Sequence, residues 1–327
     1  MQKIYLDSFI QEIENIRKYI KHINIINEFG KEKKYIRSEN LINFHQHLHD
    51  FGKEKKLFEY KAIIISIYGV LENTISEWIQ IHIENISNIV NSYSNLEDNF
   101  KINHFNLSIQ LISRISENRH SKFNTINKED ILRKLNNSII NPNDFNLNKE
   151  AYIPLSGNIK HSNIKESFKP LNIDLDFLKD TLQDEINNID ELVRLRNQIA
   201  HGVEIDEILA LTEFEIFIKA LQTYMTKIFK IIDEKEVEYE FKYQSKIYID
   251  KPKEFYQNNT VCIINIKDIE IKVGDTLFIE KTNKVLIATV LNIEKDDISV
   301  ESANNGELGL LLNIPIQKNS KIWKKII

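Results

Sequence analysis

A chain of 327 residues, 42% hydrophobic and 28% charged, can bury a full core and has the length of two domains. Its 43 basic and 48 acidic side chains leave a net charge of −5, which counts against a protein that coats a polyanion and confines any nucleic-acid site to a local group of cations. The single cysteine, Cys262, excludes an internal disulfide framework and a cysteine-based zinc cluster.

Residues 1–7 lack the apolar core of a secretory signal, and the dense apolar run 62–71 falls far short of the roughly 20 residues that span a bilayer. A soluble, cytoplasmic protein with no membrane partner is the expectation. Residues 1 to about 235 read as helical. Leu6, Phe9, Ile10, Ile13, Ile16, Ile20 and Ile23 recur at spacings of three and four, the mark of one apolar helix face. A polar segment with Gly30 and Gly52 follows. It holds His45, His47 and His49, which would share a face and could chelate a metal if extended; as a polar loop the segment reads as solvated, and no metal is expected. A second helix is predicted over 58–86, so dense through Ile63, Ile64, Ile65, Ile67, Val70 and Leu71 that most of its girth should be buried. Trp78 on it reads as core, and Glu72, ionisable among apolar neighbours, as a group that could orient a site residue.

Weaker helical patterns cover 102–116 and 128–140, and after Asn141-Pro142 comes a long irregular stretch with Pro154, Gly157 and Pro170. Helical periodicity returns over 175–200, where Gly202 supplies a stop. One more helix follows, with Thr212 and Glu215 spaced as a capping box and a stripe of Phe214, Ile218, Leu221, Met225, Ile228 and Ile232 that faces a core or a dimer partner. From about Lys235 the character changes. Residues 237–243 alternate apolar with polar, and short β-branched runs recur between turn signals at Val273-Gly274-Asp275, Asp296-Asp297 and Asn304-Asn305-Gly306. The fold class read from this is α+β multidomain, a helical domain over 1–235 followed by a small all-β domain over 236–327.

The residues that carry chemistry are Arg196, Asn197 and His201. Attack of a ribose 2'-hydroxyl on the adjacent phosphate needs a group that moves protons near neutral pH and a cation for the phosphorane-like transition state; histidine and arginine supply them without a metal or cofactor. Acid–base catalysis is worth roughly 10²- to 10⁴-fold, and a preorganised charge contact roughly 3 kcal/mol more. Two arginines compete for the role. At about 100° per residue Arg196 falls inside the stripe of Ile189, Leu192, Val193, Ile199 and Ala200, whereas Arg194 lies within roughly 20° of His201 on the opposite face. Arg196 is preferred, because a guanidinium at a core phase is costly to bury without a task and because Asn197 follows it. The rival assignment is a structural arginine and a helix-terminal histidine favoured by the dipole.

Residues 192–202 resemble the HEPN signature, in which an arginine followed by a polar residue precedes a histidine by four to six positions. The runs 154–160, 168–173 and 68–73 also look like the standalone and RiboL-PSP-associated HEPN nucleases of bacterial conflict systems, and the likeness covers most of 1–232. It implies an all-helical bundle, a homodimer with the Arg-His pairs facing each other, and RNA products ending in a 2',3'-cyclic phosphate and a 5'-hydroxyl. It also implies an endoribonuclease in a toxin or antiviral role, whose RNA is single-stranded, tRNA or ribosome-associated, with an antitoxin or defence-system partner. Residues 271–279, 288–290 and 305–312 resemble the barrel that forms domain 2 of translational GTPases such as elongation factor Tu; with no phosphate-binding Gly-x-x-x-x-Gly-Lys-Ser/Thr segment, the barrel reads as a docking module. Two alternatives stay open: a catalytically silent dimer that binds RNA, ribosome or a protein through the barrel, and a toxin–antitoxin component controlled by nucleotidylation.

Overall fold

The structure is a computed structural model that describes residues 3–31, 39–117, 126–153, 158–205, 208–252, 254–282 and 284–326. A helical region is followed by an antiparallel β half-barrel, and the chain divides into two compact units.

The first unit comprises Met1–Glu84, Glu97–Asn136 and Leu147–Ile231. Its helices are α1 (Lys3–Lys31), α2 (Glu39–Asp50), α3 (Gly52–Ile89), α4 (Asp98–Glu117), α5 (Lys128–Ile140), α6 (His161–Phe168), α7 (Leu178–Thr181), α8 (Gln183–Ala200) and α9 (Phe214–Tyr243), of which α3, α5 and α9 continue into the second unit. The central helix is α3, as its composition predicts: Ile63, Ile64, Ile67, Leu71, Ile75, Trp78 and Ile79 are buried. Trp78 packs edge-on against Phe9 of α1 at 5.9 Å and Phe229 of α9 at 5.3 Å, pairs worth about 0.5–1.5 kcal/mol each beyond the area they bury. Burial does not extend all round the helix. Ile65 is 50% exposed, because the apolar residues exceed what the packed arc accommodates.

Three local expectations are corrected. The polar segment after α1 contains the helix α2 and is neither a loop nor extended; the side chains of His45 and His49 lie outside the described residues. The stretch after Pro142 is not structureless, since it holds α6 and 3-10 turns at Lys149–Tyr152 and Lys169–Leu171, while its residues 154–157 lie outside the described residues. It is fixed by a buried polar node. His104 Nε2 accepts the backbone N–H of Asn148 at 3.1 Å, and the Asn148 amide donates to Ser108 Oγ and to the carbonyl of Ile131, joining α4, α5 and the first 3-10 turn. Burial holds the His104 imidazole down at about 4, so it is neutral and able to accept. Finally, Glu215 does not close a capping box with Thr212, because its carboxylate is bound by the Arg17 guanidinium of α1 at 2.8–3.2 Å.

The second unit comprises Asn85–Leu96, Asn137–Asn146 and Ile232–Ile327. Residues 237–243 belong to α9 and are not a strand, so the change to β structure comes near residue 245 instead of 235. The buried Ile232, Glu236 and Tyr239 keep helical spacing into this segment, and the Glu236 carboxylate, bonded to the Asn85 amide at 3.0 Å, interrupts the apolar pattern that would announce the helix. The strands are β1 (Lys246–Asp250), β2 (Glu254–Tyr256), β3 (Val261–Lys272), β4 (Thr276–Lys281), β5 (Lys284–Lys295), β6 (Ile298–Val300), β7 (Ser302–Leu312) and β8 (Lys321–Lys325), paired antiparallel in the order β1-β8-β4-β5-β7-β3-β2 with β6 on β5. Alternate residues of β3, β5 and β7 (Cys262, Ile264, Ile266, Ala288, Val290, Leu308, Leu310, Leu312) point into one apolar core. Asp250 at the end of β1 accepts the backbone N–H of Asn265 in β3 at 2.7 Å, which satisfies one edge donor where no ladder runs.

Candidate active site

The site is built on α8. Ile186, Ile189, Leu192, Val193 and Leu195 are buried and press one face of the helix into the first unit. The edge of that face is tied to α6: Asp190 Oδ1 accepts the backbone N–H of His161 at 2.9 Å, meeting an orphan donor of a helix start that has no side-chain cap of its own. The His161 imidazole is buried, its Nδ1 is 2.8 Å from the Tyr224 hydroxyl, and burial pushes its pKa down against the opposing pull of Asp190.

The helix ends where Gly202 predicts. Gly202 has φ +68°, its N–H donates to the carbonyl of Ile199 at 3.2 Å, and the N–H of Val203 donates to that of Gln198 at 3.0 Å. This pair of bonds is the Schellman motif, which a residue with a Cβ adopts only under strain. His201 is therefore the C-terminal cap, at φ −89° and ψ 3°, with an exposed side chain.

The two arginines have opposite surroundings. Arg194 is exposed and bound in a bidentate pair to Glu191 on its own helix, at 2.7 and 2.6 Å. Arg196 is half-buried, its guanidinium carbon lies 4.6 Å from the centroid of the Tyr68 ring, and its Nη1 donates to Asn197 Oδ1 at 3.1 Å. Asn197 Nδ2 donates in turn to Asn158 Oδ1 at 3.1 Å, and the neighbouring N–H of Ile159 donates to the Tyr68 hydroxyl at 3.4 Å. A closed circuit of α8, α3 and residues 158–159 thus holds the guanidinium on one side. Among the described residues no carboxylate pairs with it. Burial first, then the Glu72 carboxylate, pushes the Tyr68 phenol up, while the bond from Ile159 and the Arg196 charge pull the other way, so Tyr68 is a neutral phenol at neutral pH. Glu72 reaches the site through this influence on Tyr68, one turn away on α3.

Of the residues singled out in the sequence, the structure joins Arg196 to Asn197 directly and leaves His201 apart. Arg196 and His201 share no hydrogen bond, and five residues of helix set them about 140° apart. Tyr68 and Asn158 carry no site signal of their own in the sequence. Both stand in runs that carry the family likeness, yet only the tertiary fold pairs them with α8. Among the described residues no group of three or more His, Cys, Asp or Glu side chains is placed to hold a metal, and no helix is long and apolar enough to cross a membrane.

No curated protein matches the chain. Solved structures that resemble it include the C-terminal domain of a Geobacillus thermoleovorans putative U32 peptidase, at 8% identity and a TM-score of 0.21, covering 25% of this chain and 92% of that one; the selenomethionine variant of the same domain gives 8% and 0.20, covering 25% and 98%. Likenesses of that degree say nothing of function. The RiboL-PSP-HEPN family matches residues 7–234, more than half of the sequence and all of the elements that build the site around Arg196, and the chain belongs to that family.

Proposed function

We propose that the protein is an endoribonuclease that cleaves RNA without a metal ion, working in the cytoplasm as a toxin or antiviral effector. The observation that carries this reading is Arg196: a guanidinium fixed by a ring and an amide, with no carboxylate to neutralise it among the described residues, five residues before a solvent-exposed histidine. Arg196 would stabilise charge on the phosphorane-like transition state. A base takes the proton of the 2'-hydroxyl as the 2'-oxygen bonds to phosphorus, and an acid returns a proton to the 5'-oxygen as its bond to phosphorus breaks. One chain brings one histidine of the signature, His201. His201 from each of two chains, facing across a two-fold axis, would serve as base and acid, which suits an imidazole that points away from the arginine of its own helix. In support, Phe58 and Ile65, 69% and 50% exposed on α3, offer apolar surface for a second copy.

The test is incubation of the purified protein with total RNA in excess chelator, with His201→Ala as control and analysis of the product ends. Expected are cleavage by the wild type, cyclic-phosphate and 5'-hydroxyl ends, and loss of cleavage in His201→Ala. Products with 5'-phosphates, or activity that vanishes on chelation and returns with Mg²⁺, would require a two-metal mechanism instead.

A further inference from the structure

An arginine that works on phosphate must be held in place without being neutralised, and its flexible stem does neither by itself. Arg17, Arg133 and Arg194 each hold a carboxylate, which fixes the guanidinium and cancels much of its charge. Arg196 is held differently. The Tyr68 ring, 4.6 Å from the guanidinium carbon, restrains where the group lies, and the Asn197 oxygen, 3.1 Å from Nη1, restrains its rotation. Both anchors are themselves anchored by adjacent residues of one segment, since Asn158 binds the Asn197 amide and Ile159 the Tyr68 hydroxyl. The other cation–ring contacts among the described residues are made by lysines, so this arrangement is peculiar to Arg196. A ring face and an amide oxygen leave the positive charge intact, and among the described residues no acceptor meets the Nε–Nη2 edge, the one that matches two phosphate oxygens.

Building on the ribonuclease reading above, we propose that Tyr68 is a positioning residue. Together with Asn158 acting through Asn197, it aims the Nε–Nη2 edge of Arg196 at the scissile phosphate and touches no substrate itself. The ring is the part that acts. The hydroxyl serves to orient the ring by accepting from Ile159, and Tyr68 neither donates nor removes a proton in the reaction.

Kinetics with chelator present separate this role from plain core packing. Tyr68→Leu removes ring and hydroxyl and should lower kcat by about 10- to 100-fold, as a misplaced catalytic group does, with KM moving by less than about threefold. Tyr68→Phe keeps the ring face and should restore kcat to within about threefold of wild type. Asn158→Ala, at an exposed position where folding is not at stake, should cost about three- to tenfold in kcat by freeing the Asn197 amide. The chain has seven arginines, so the Nε–Hε region of a ¹⁵N-arginine spectrum is sparse, and Arg196→Lys identifies the Arg196 resonance. Ring current from Tyr68 should displace that resonance, Tyr68→Phe should preserve the displacement, and Tyr68→Leu or, if that variant does not fold, Asn158→Ala should reduce it. A Tyr68→Leu chain with wild-type kcat, an unrescued Tyr68→Phe, or an Arg196 resonance indifferent to Tyr68 overturns the proposal while leaving the ribonuclease reading in place. A wild-type chain that cleaves no RNA overturns that reading, and this one with it.

Discussion

The half-barrel and the end of α8 handle charge in opposite ways. In the half-barrel the three lysines of β8 are answered within the unit: Lys324 by Asp275 at 2.7 Å, Lys325 by Glu240 at 2.8 Å and Lys321 by Glu280 at 3.3 Å, with Trp323 Nε1 donating to the same Glu280 at 2.9 Å. At the end of α8, Arg196 faces a ring and an amide, and His201 faces solvent. Partly buried charge is normally paired because desolvation penalises the bare ion, so a half-buried cation with no counter-ion among the described residues is a candidate anion site. The three lysine pairs tie the second unit to itself, and the ribonuclease proposal rests on the contrast with Arg196.

The widest test of that contrast compares the two arginines of α8. Arg196→Ala should lower cleavage by about 10²- to 10³-fold, the loss expected when one preorganised transition-state contact is removed. Arg194→Ala breaks only an exposed ion pair with Glu191 and should stay within about threefold in rate and about 0.5 kcal/mol in stability. Initial rates on one RNA, with thermal melts beside them, decide it; a larger loss in Arg194→Ala than in Arg196→Ala would move the catalytic cation to the other face of the helix.

A smaller effect is expected where charge is already satisfied. Asp275 Oδ2 accepts both the backbone N–H of Lys272 at 2.8 Å and Lys324 Nζ at 2.7 Å, beside Gly274 at φ +89°. Asp275→Ala leaves the backbone donor and the ammonium without that acceptor, at a cost of about 1–3 kcal/mol read from the urea midpoint, with the cleavage rate of the folded protein unchanged. A rate loss matching that of Arg196→Ala would place the half-barrel in the catalytic machinery.

How much of this is legible in the sequence depends on how local the cause is. The faces of α1, α3, α8 and α9 are periodic over many turns, and Gly202 as a helix stop is a single-residue signal, so both read directly. The preference for Arg196 over Arg194 rests on helix phase and on the Asn197 that follows it, and both signals are local. Short or interrupted elements are not legible. In α2 the apolar Ile42 and Phe44 are exposed, α6 has His161 in its buried face and its start is met by the distant Asp190, and Glu236 breaks the apolar run at the end of α9. The circuit through Tyr68 and Asn158 joins segments far apart in the chain, and no periodicity encodes it.

The smallest effect probes the frame that presents His201. At φ +68° the Gly202 backbone suits a residue without a Cβ, but a Cβ built there meets nothing within 4 Å, so the cost of Gly202→Ala is conformational alone, about 1–2 kcal/mol. Alanine can still enter the left-handed region and keep the bonds from Gly202 N–H to Ile199 and from Val203 N–H to Gln198, so the cap holds and cleavage stays within about threefold of wild type. A β-branched side chain is a far worse occupant of that region. Gly202→Val should therefore release the cap, fray the last turn and displace His201, losing activity out of proportion to its stability. Melting curves and rates for the two variants, measured side by side, test the link between cap and catalysis. Equal activity in alanine and valine variants would mean that the orientation of His201 does not depend on the Schellman turn, and that the histidine is placed by contacts formed only when RNA or a second chain is bound.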